Sequence, residues 1–308
     1  MDESLAKTVI DEIVGDVPTS GLRALHAKGT LCSATFTPTA EACRLSRADH
    51  FAGPTLRAHV RFSNGSSVIG ADYAPREGRG MAVKFYLVDG ATTDIVAVSL
   101  PAFFVRTPEE FLEFIRARRP DPATGEPDPA RIGAFVAAHP QSLTALGAVM
   151  SALPTDSYLS CEYNALHTYL FEDATEKVRP GRYHLEPAAG TATISHADAG
   201  ERQADYLKDD LAARLAERPA RFVLTVSLAG VGDALDDPSV AWPDDRERIT
   251  VGHIEITGLA FDRERDGDVL VFDPTRITDG IALSNDPILR FRHDAYAESV
   301  LRRSGVSA

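Results

Sequence analysis

Strand-forming segments follow one another along this chain and do not alternate with helices. These segments are rich in β-branched and aromatic residues, and they lie at 57–63, 80–89, 93–101, 163–172, 182–188, 221–229 and 249–257. Apolar residues recur at helical spacing in clusters, at 4–14, 108–116, 130–152 and 206–217. Strands in succession with clustered helices favour an α+β fold built on an antiparallel sheet or barrel. No glycine-rich strand-to-helix turn supports a nucleotide-binding fold.

The charge of the chain argues against several classes of partner. A formal net charge of −13 over 308 residues should repel nucleic acid and anionic membranes. No apolar run approaches the ~20 residues of a membrane span, and the acidic opening MDES lacks the basic flank of a signal peptide. Cys32, Cys43 and Cys161 suit reduced thiols better than a disulfide framework. We therefore expect a cytoplasmic protein with no nucleic-acid or membrane partner.

The segment TPEEFLEFIRAR carries the signals of a helix start. Thr107 is placed as the N-cap, Pro108 occupies the first helical position, and Glu110 completes a capping box. Phe111 and Phe114 share a face that predicts packing in the core.

The last helical segment, ILRFRHDAYAESVLRR at 288–303, has an unusual face. At about 100° per residue, Arg292, Tyr296 and Arg303 lie at roughly 0°, 40° and 20° around the helix axis. Two guanidinium groups and a phenol on one narrow face form neither a core stripe nor an ordinary solvated surface. This face therefore suggests a bound partner.

Other candidate residues carry little signal when taken singly. Arg61 and Ser63 alternate on a predicted strand, so their side chains share one face of the sheet. His26 follows Arg23 by three residues, and either residue alone is typical of a surface. The remaining histidines form no HxxxH pair, so a metal site made of histidines is weakly supported.

Six short strings occur in the same order as in the haem catalases. They are HAKGT, VRFS, RGMAVKFY, VSLPAFFVRTPEEFLEF, AWPDDRERITVGHIEIT and FDPTRITDGIALSNDPILRFRHDAY, and they extend from about residue 20 to 303. The chain is shorter than ordinary catalases, so it resembles the small catalase-related peroxidases. This resemblance implies a single haem-binding domain, 1–308, with a catalase-like antiparallel β-barrel core at 20–303, surrounding helices, and an N-terminal helix or arm at 1–19.

The resemblance gives the unusual face of the last helix a role. Tyr296 matches the tyrosine that ligates haem iron, and Arg292 matches the arginine that pairs with it. A free phenol titrates near pH ~10, so a neighbouring guanidinium and a ferric ion are needed to favour the anion. Arg23, Arg61 and Arg303 match arginines that meet the haem propionates.

On the other face of the haem, the resemblance assigns the acid–base chemistry. His26 matches the distal histidine, which takes a proton from the peroxide and returns it to the departing oxygen. Ser63 matches the serine that orients this imidazole. Phe111 matches an aromatic residue that stacks near the haem, and Leu25 and Val96 match apolar residues of the distal pocket.

The chain departs from the catalase pattern at Val98. Catalases carry an asparagine at this place, and a valine offers no hydrogen-bond donor to hold hydrogen peroxide. Ser99 could supply the donor if the strand were shifted. Glu77 is the candidate for an aspartate that catalases place in their channel. The missing amide and the shorter chain favour peroxidase action, with an entrance wide enough for bulkier substrates.

We therefore expect a haem peroxidase that uses organic hydroperoxides or hydrogen peroxide, takes electrons from a small organic donor and has weak catalase activity. Ferric haem b is the family expectation, and a monomer or homodimer is expected. The alternatives are a catalase that dismutates hydrogen peroxide, an enzyme like allene oxide synthase that rearranges hydroperoxides, and a non-catalytic haem carrier or sensor. Leu25 and Val98 replace the threonine and asparagine of the allene oxide synthases.

Overall fold

The computed structural model describes residues 3–15, 21–67, 69–74, 76–261 and 269–304. The strands in these ranges are β1 Gly29–Pro38, β2 Leu56–Asn64, β3 Arg79–Tyr86, β4 Thr92–Val98, β5 Tyr163–Asn164, β6 Tyr169–Glu172, β7 Val178–Pro187, β8 Ala220–Leu228, β9 Arg248–Leu259 and β10 Ile281–Leu283. The helices are α1 Glu3–Val14, α2 Ala42–Leu45, α3 Asp49–Ala52, α4 Pro108–Arg118, α5 Pro129–Ala138, α6 Leu143–Ser151, α7 His196–Gly200, α8 Tyr206–Glu217 and α9 Pro287–Arg303.

Eight strands of the described chain close into a barrel. Their order is β7-β5-β4-β3-β2-β1-β9-β8, and β8 pairs back onto β7. Every pairing is antiparallel, and β6 and β10 extend the sheet beside β7. The antiparallel barrel with surrounding helices that the sequence predicts is therefore confirmed. Of the predicted N-terminal arm at 1–19, the structure describes residues 3–15, which contain α1.

The core fills the inside of the barrel. Successive side chains of a strand point to opposite faces, so each strand sends alternate residues inward. Large aromatic side chains are fully buried there, including Phe36, Phe62, Phe85, Tyr163 and Phe222. The alternate residues of β2, β3 and β4 face outward, and they form the floor of the site described below.

Two local predictions are wrong. The strand predicted at 163–172 is broken into β5 and β6. Both pair with β7, but the second neighbour of β5 is β4, at Val98, whereas that of β6 is β10. The chain must bend between them to change partners. The capping box at α4 is also incomplete. Thr107 Oγ1 accepts the backbone N–H of Glu110 at 3.2 Å, but the carboxylate of Glu110 accepts the N–H of Arg106 instead of that of Thr107.

Long apolar helices are scarce in this fold. No single helix in the described ranges is long and apolar enough to span a membrane. The pair α5 and α6, including the turn that starts at Pro140, reaches the required length and composition only when taken together, and it is bent by 110°.

Candidate active site

A cavity lies between the outer face of the barrel and helices α1, α4 and α9. Its volume is about 1330 Å³ with its opening to solvent included. Its wall contains all of the site residues predicted from the sequence: Arg23, Leu25, His26, Arg61, Ser63, Val96, Phe111, Arg292, Tyr296 and Arg303. The fold thus gathers residues from both ends of the chain into one place.

The register of three strands sets the floor of the cavity. Ser63 of β2 pairs with Gly80 of β3, and Gly80 pairs with Val98 of β4. The next outward-facing row places Arg61 opposite an alanine of β3, which in turn pairs with Val96. Because paired residues point to the same face of a sheet, both rows face the cavity.

His26 is held over this floor by a short polar contact. Its Nδ1 lies 3.0 Å from the Oγ of Ser63. The backbone of His26 has a φ of 56°, which is strained for a residue with a side chain. Gly80 makes room for the ring, since a Cβ built on this glycine would lie 2.6 Å from Ser63 Oγ and 2.8 Å from His26 Nδ1.

The electrostatic surroundings keep this imidazole neutral. Burial, together with the nearby Arg61, Arg292 and Arg23, lowers the pKa of His26 from 6.5 to about 3. A neutral ring has one nitrogen free to accept a proton. Near pH 7 the ring is therefore neutral, with one nitrogen available to a ligand in the cavity.

Helix α9 places the phenol on the opposite side. Asp286 caps its start by accepting the backbone N–H groups of Ile288 at 2.8 Å and Leu289 at 3.1 Å. One turn apart on the same face, Arg292 Nε donates to the Oη of Tyr296 at 3.1 Å, and Nη2 of the same arginine also donates to this oxygen. The narrow face predicted from helical spacing is thus present at Arg292 and Tyr296.

His167 belongs to this arrangement, although sequence reasoning missed it. Its Nε2 lies 3.0 Å from Nη1 of Arg292, and its Nδ1 lies 2.6 Å from the carboxylate of Asp286. Because arginine can only donate, Nε2 accepts and the proton must be on Nδ1. Burial lowers the pKa of His167, which keeps this neutral form. The 125 residues between His167 and Arg292 leave no local signal of the contact.

Cations dominate the polar part of the wall. Nη2 of Arg23 and Nη2 of Arg303 both donate to the carbonyl of Leu270, at 2.7 and 3.5 Å. Arg61 Nη2 donates to the carbonyl of Ala27 at 3.2 Å. With the arginine of α9, four guanidinium groups line the cavity, and none of the described residues of its wall is an aspartate or glutamate. Such a wall fits a ligand with an apolar body and negatively charged groups.

The place of the expected asparagine is apolar. Val98 lines the cavity, whereas Ser99 does not. The Oγ of Ser99 instead accepts the backbone N–H of Arg79 at 2.8 Å. The idea that Ser99 could replace the missing donor is therefore not supported by the geometry. Glu77 is also absent from this wall, and its carboxylate pairs with Arg79 at 2.7 Å.

Helix α1 closes one side of the cavity. Val9, Ile10 and Ile13 contribute to the wall. The polar face of the helix is pinned by ion pairs, from Glu12 to Arg116 at 2.9 Å and from its neighbour Asp11 to Arg302 at 2.9 Å. The same chain therefore supplies this wall as well as the floor.

Comparison with known proteins gives a consistent picture. The family model described as catalase matches residues 21–308. A catalase-related peroxidase of Mycolicibacterium paratuberculosis is 45% identical over 93% of this chain and 90% of its own length. A catalase-related peroxidase of Synechococcus elongatus is 32% identical over 92% of this chain and 84% of its own. Catalase-1 of Arabidopsis thaliana is 28% identical, and the match covers 92% of this chain but only 60% of that longer protein.

The solved structures agree in fold. The crystal structure of a fungal catalase superposes with a TM-score of 0.81 at 22% identity, over 92% of this chain and 59% of that one. The structure of a bacterial catalase gives a TM-score of 0.80 at 24% identity, over 92% of this chain and 57% of that one. With a family model that matches nearly the whole chain and relatives that align over most of their length, this protein belongs to the catalase family.

Proposed function

We propose that this protein is a haem-dependent peroxidase that reduces organic hydroperoxides or hydrogen peroxide with electrons from a small organic donor, and that it has weak catalase activity. The proposal rests on membership of the catalase family, which implies haem binding, and on one observation, the apolar side chain of Val98 beside His26 in the cavity. The names of the two relatives described as catalase-related peroxidases also support a peroxidase function.

The described residues of the cavity fit haem. Its volume and its apolar wall suit a large flat ring, and the oxygen of Tyr296 is a suitable iron ligand. Arg23, Arg61 and Arg303 would offset the charge of two propionates. None of the cysteines lines the cavity, so we propose non-covalent haem b. A tyrosine ligand also suits the ferric form, which we propose for the resting protein.

The proximal residues would hold the ligand oxygen in place. Two N–H groups of Arg292 donate to the Oη of Tyr296, and the guanidinium is in turn fixed by His167. Asp286 fixes His167 and caps the helix that carries the tyrosine. The orientation of Tyr296 would thus be supported from the start of α9 and from the barrel at once.

The distal residues would move the proton. When bound, haem supplies an iron that holds the peroxide and exchanges the electrons that break the O–O bond. His26 would take a proton from the near oxygen of the hydroperoxide and return it to the far oxygen, which leaves as an alcohol or water. Ser63 engages Nδ1, and this leaves Nε2 as the nitrogen that exchanges the proton.

The lack of an amide donor would decide the preferred substrate. Asn164 also lines the cavity, next to Val98, but its Nδ2 donates to the carbonyl of Leu100 at 3.1 Å and its Oδ1 lies 2.7 Å from Nδ1 of His184. With the four arginines assigned to the propionates and to Tyr296, the donors left for the small polar molecule hydrogen peroxide would be His26 and Ser63. An organic hydroperoxide would bury its apolar part against the valine and the neighbouring phenylalanines.

The test compares two reactions of the haem-loaded protein. Oxygen release from hydrogen peroxide and dye oxidation driven by cumene hydroperoxide should be measured side by side. We expect dye oxidation with little oxygen release, and vigorous oxygen release without dye oxidation would reject the proposal. The absorption spectrum should show ferric haem with a tyrosine ligand, and Tyr296→Phe should lose it. Protein that binds no haem would reject the cofactor as well.

A further inference from the structure

A second cavity lies at the ends of β3 and β4, where its lining residues directly neighbour those of the first cavity in sequence. Its volume is about 860 Å³ with its opening to solvent included. Apolar side chains, among them Leu100, Val149, Leu153 and Pro154, line part of its wall. It shares none of its described lining residues with the first cavity. The chemistry proposed above assigns it no role.

The two cavities are separated by a single backbone layer. Strand β3 passes from one to the other between Arg79, which lines the second cavity, and Gly80, which lines the first. At the end of β4, Val98 lines the first cavity and the next residue, Ser99, lines the second. The backbone N–H of Ser99 donates to the carbonyl of Arg79 at 2.8 Å, and Gly80 pairs with Val98, so the two segments are hydrogen-bonded to each other at this boundary.

A boundary of one backbone layer is thin enough for electron transfer. Side chains between two packed sheets fill about 10 Å, so the middle of each layer lies about 5 Å from its backbone, and groups on opposite sides of one backbone lie on the order of 10 Å apart. Electron transfer over such a distance needs no contact between donor and acceptor. On the first side, the ring of His26 lies so near Gly80 that a Cβ built on this glycine would be 2.8 Å from Nδ1.

The wall of the second cavity is balanced in charge. Arg79 and Glu77 form an ion pair at 2.7 Å, and the other charged groups are one cation, Arg76, and one anion, Glu162. This contrasts with the four arginines of the first cavity. An apolar patch beside paired charges suits a small neutral ring that carries a hydrogen-bonding group, and an anion gains little there.

We propose that the second cavity binds the reducing substrate, a small neutral phenol. This inference rests on the peroxidase function proposed above. Each phenol gives up one electron through the wall and releases its proton to water at the open mouth. Two phenols and one hydroperoxide then yield two phenoxyl radicals, one alcohol and one water, so that electrons and protons balance. Peroxide and donor occupy different cavities and do not compete.

The test blocks the second cavity from two sides. A Cβ on Gly78 would meet Leu100 Cγ at 3.5 Å and Ser99 Oγ at 3.8 Å, which is ordinary contact, so the backbone there accepts a side chain and the methyl groups of Gly78→Val would extend into the cavity. Leu153→Trp adds bulk at an exposed lining position. The matched control is Met150→Trp, at a position that is exposed but does not line the cavity.

The measurements use haem-loaded protein with guaiacol as donor and cumene hydroperoxide as oxidant. We expect both blocking variants to raise the KM for guaiacol about tenfold, with the KM for the hydroperoxide and the absorption spectrum unchanged. The paramagnetic ferric protein should also broaden the proton NMR signals of guaiacol in the absence of peroxide. Gly78→Val should abolish this broadening, and the control should retain it.

Three results would decide against the inference. Unchanged guaiacol KM and broadening in both blocking variants would place the donor elsewhere. A rise in the hydroperoxide KM instead would make the cavity a peroxide route. A changed haem absorption spectrum in both variants, with haem content and guaiacol broadening retained, would show that the cavity supports the haem site and does not bind the donor. If wild-type protein consumes hydroperoxide without oxidising guaiacol, the peroxidase function fails, but the NMR measurement still tests the binding site.

Discussion

Gly80 and His26 lie so near each other that a side chain at the glycine fits only if the imidazole or Ser63 moves. A Cβ at this position would lie 2.8 Å from Nδ1 and 2.9 Å from Cε1 of the imidazole. Carbon atoms in packed proteins do not approach a ring this closely without displacing it. The position of the histidine over the floor of the cavity therefore depends on the absence of a side chain at Gly80 on β3.

We expect Gly80→Ala to slow hydroperoxide cleavage by roughly 100-fold, the usual contribution of a positioned acid–base group, with haem content retained. Stopped-flow mixing of the ferric protein with cumene hydroperoxide measures this rate. Gly133→Ala in α5 is the control, since a Cβ there would meet no atom within 4 Å. A rate for Gly80→Ala equal to that of the wild type would show that the ring tolerates the shift.

Val98→Asn should increase oxygen release from hydrogen peroxide. The substitution restores an amide donor in the cavity, and a single well-placed donor contributes on the order of 100-fold. The measurement is oxygen evolution with an electrode, and dye oxidation is recorded in parallel. Val98→Leu controls for a change of shape without a donor. Equal oxygen release from the asparagine and leucine variants would show that the missing amide does not set the substrate preference.

Asp286→Ala should reduce the free energy of unfolding. The substitution removes the cap of α9, worth about 1 kcal/mol, and leaves the buried His167 without its acceptor, which adds about 1–3 kcal/mol. Asp286→Asn retains the cap and should lose less. The comparison is Asp128→Ala, which removes only an exposed cap that accepts the N–H of Ala130 at 2.8 Å. Urea unfolding of the three variants should therefore rank Asp286→Ala as the least stable.

The stability of the protein should fall in acid because of buried neutral histidines. Burial lowers the pKa of His50 from 6.5 to about 3. Between these values the unfolded chain binds a proton that the folded protein does not, so the free energy of unfolding decreases as the pH falls, by up to ~1.4 kcal/mol per pH unit. His26 contributes in the same direction and over the same range.

His50→Phe should remove one of these contributions. The ring is surrounded by Phe36, Phe51 and Phe85, and its Nδ1 has no hydrogen-bond partner among the described residues. Guanidinium unfolding between pH 4 and 6 should show a shallower pH dependence, reduced by up to ~1.4 kcal/mol per unit. His196→Gln, at an exposed position, is the control. An unchanged slope in His50→Phe would show that this ring is charged in the folded state.

Local periodicity was enough to predict the parts of the site that lie on one element. Helical spacing places Arg292 and Tyr296 on one face, and strand alternation places Arg61 and Ser63 on another. Both placements follow from the geometry of a single helix or strand over a few residues. How these elements are arranged relative to each other was predicted from the order of the six short strings, because resemblance to a family implies the topology of that family's barrel.

Contacts that depend on barrel closure could not be read from spacing. His167 meets Arg292 only because the bend between β5 and β6 places it under α9, and 125 residues separate the two. Whether the side chain of Ser99 faces the cavity could not be predicted from the sequence either, since a shift of one residue in a strand moves a side chain to the opposite face of the sheet. The capping of α4 depended on which N–H group lies within reach of Glu110, and this is a detail of loop geometry.

The position of α1 has a consequence for how the cavity is completed. Because α1 and the barrel strands belong to one chain, the effective concentration of α1 at the cavity does not change when the protein is diluted. Closure by Val9, Ile10 and Ile13 is therefore an intramolecular event, and its strength is set by the apolar contacts and by the ion pairs of Asp11 and Glu12. How long a ligand is retained behind this helix would therefore depend on movement of α1 within one chain and not on the association of two chains.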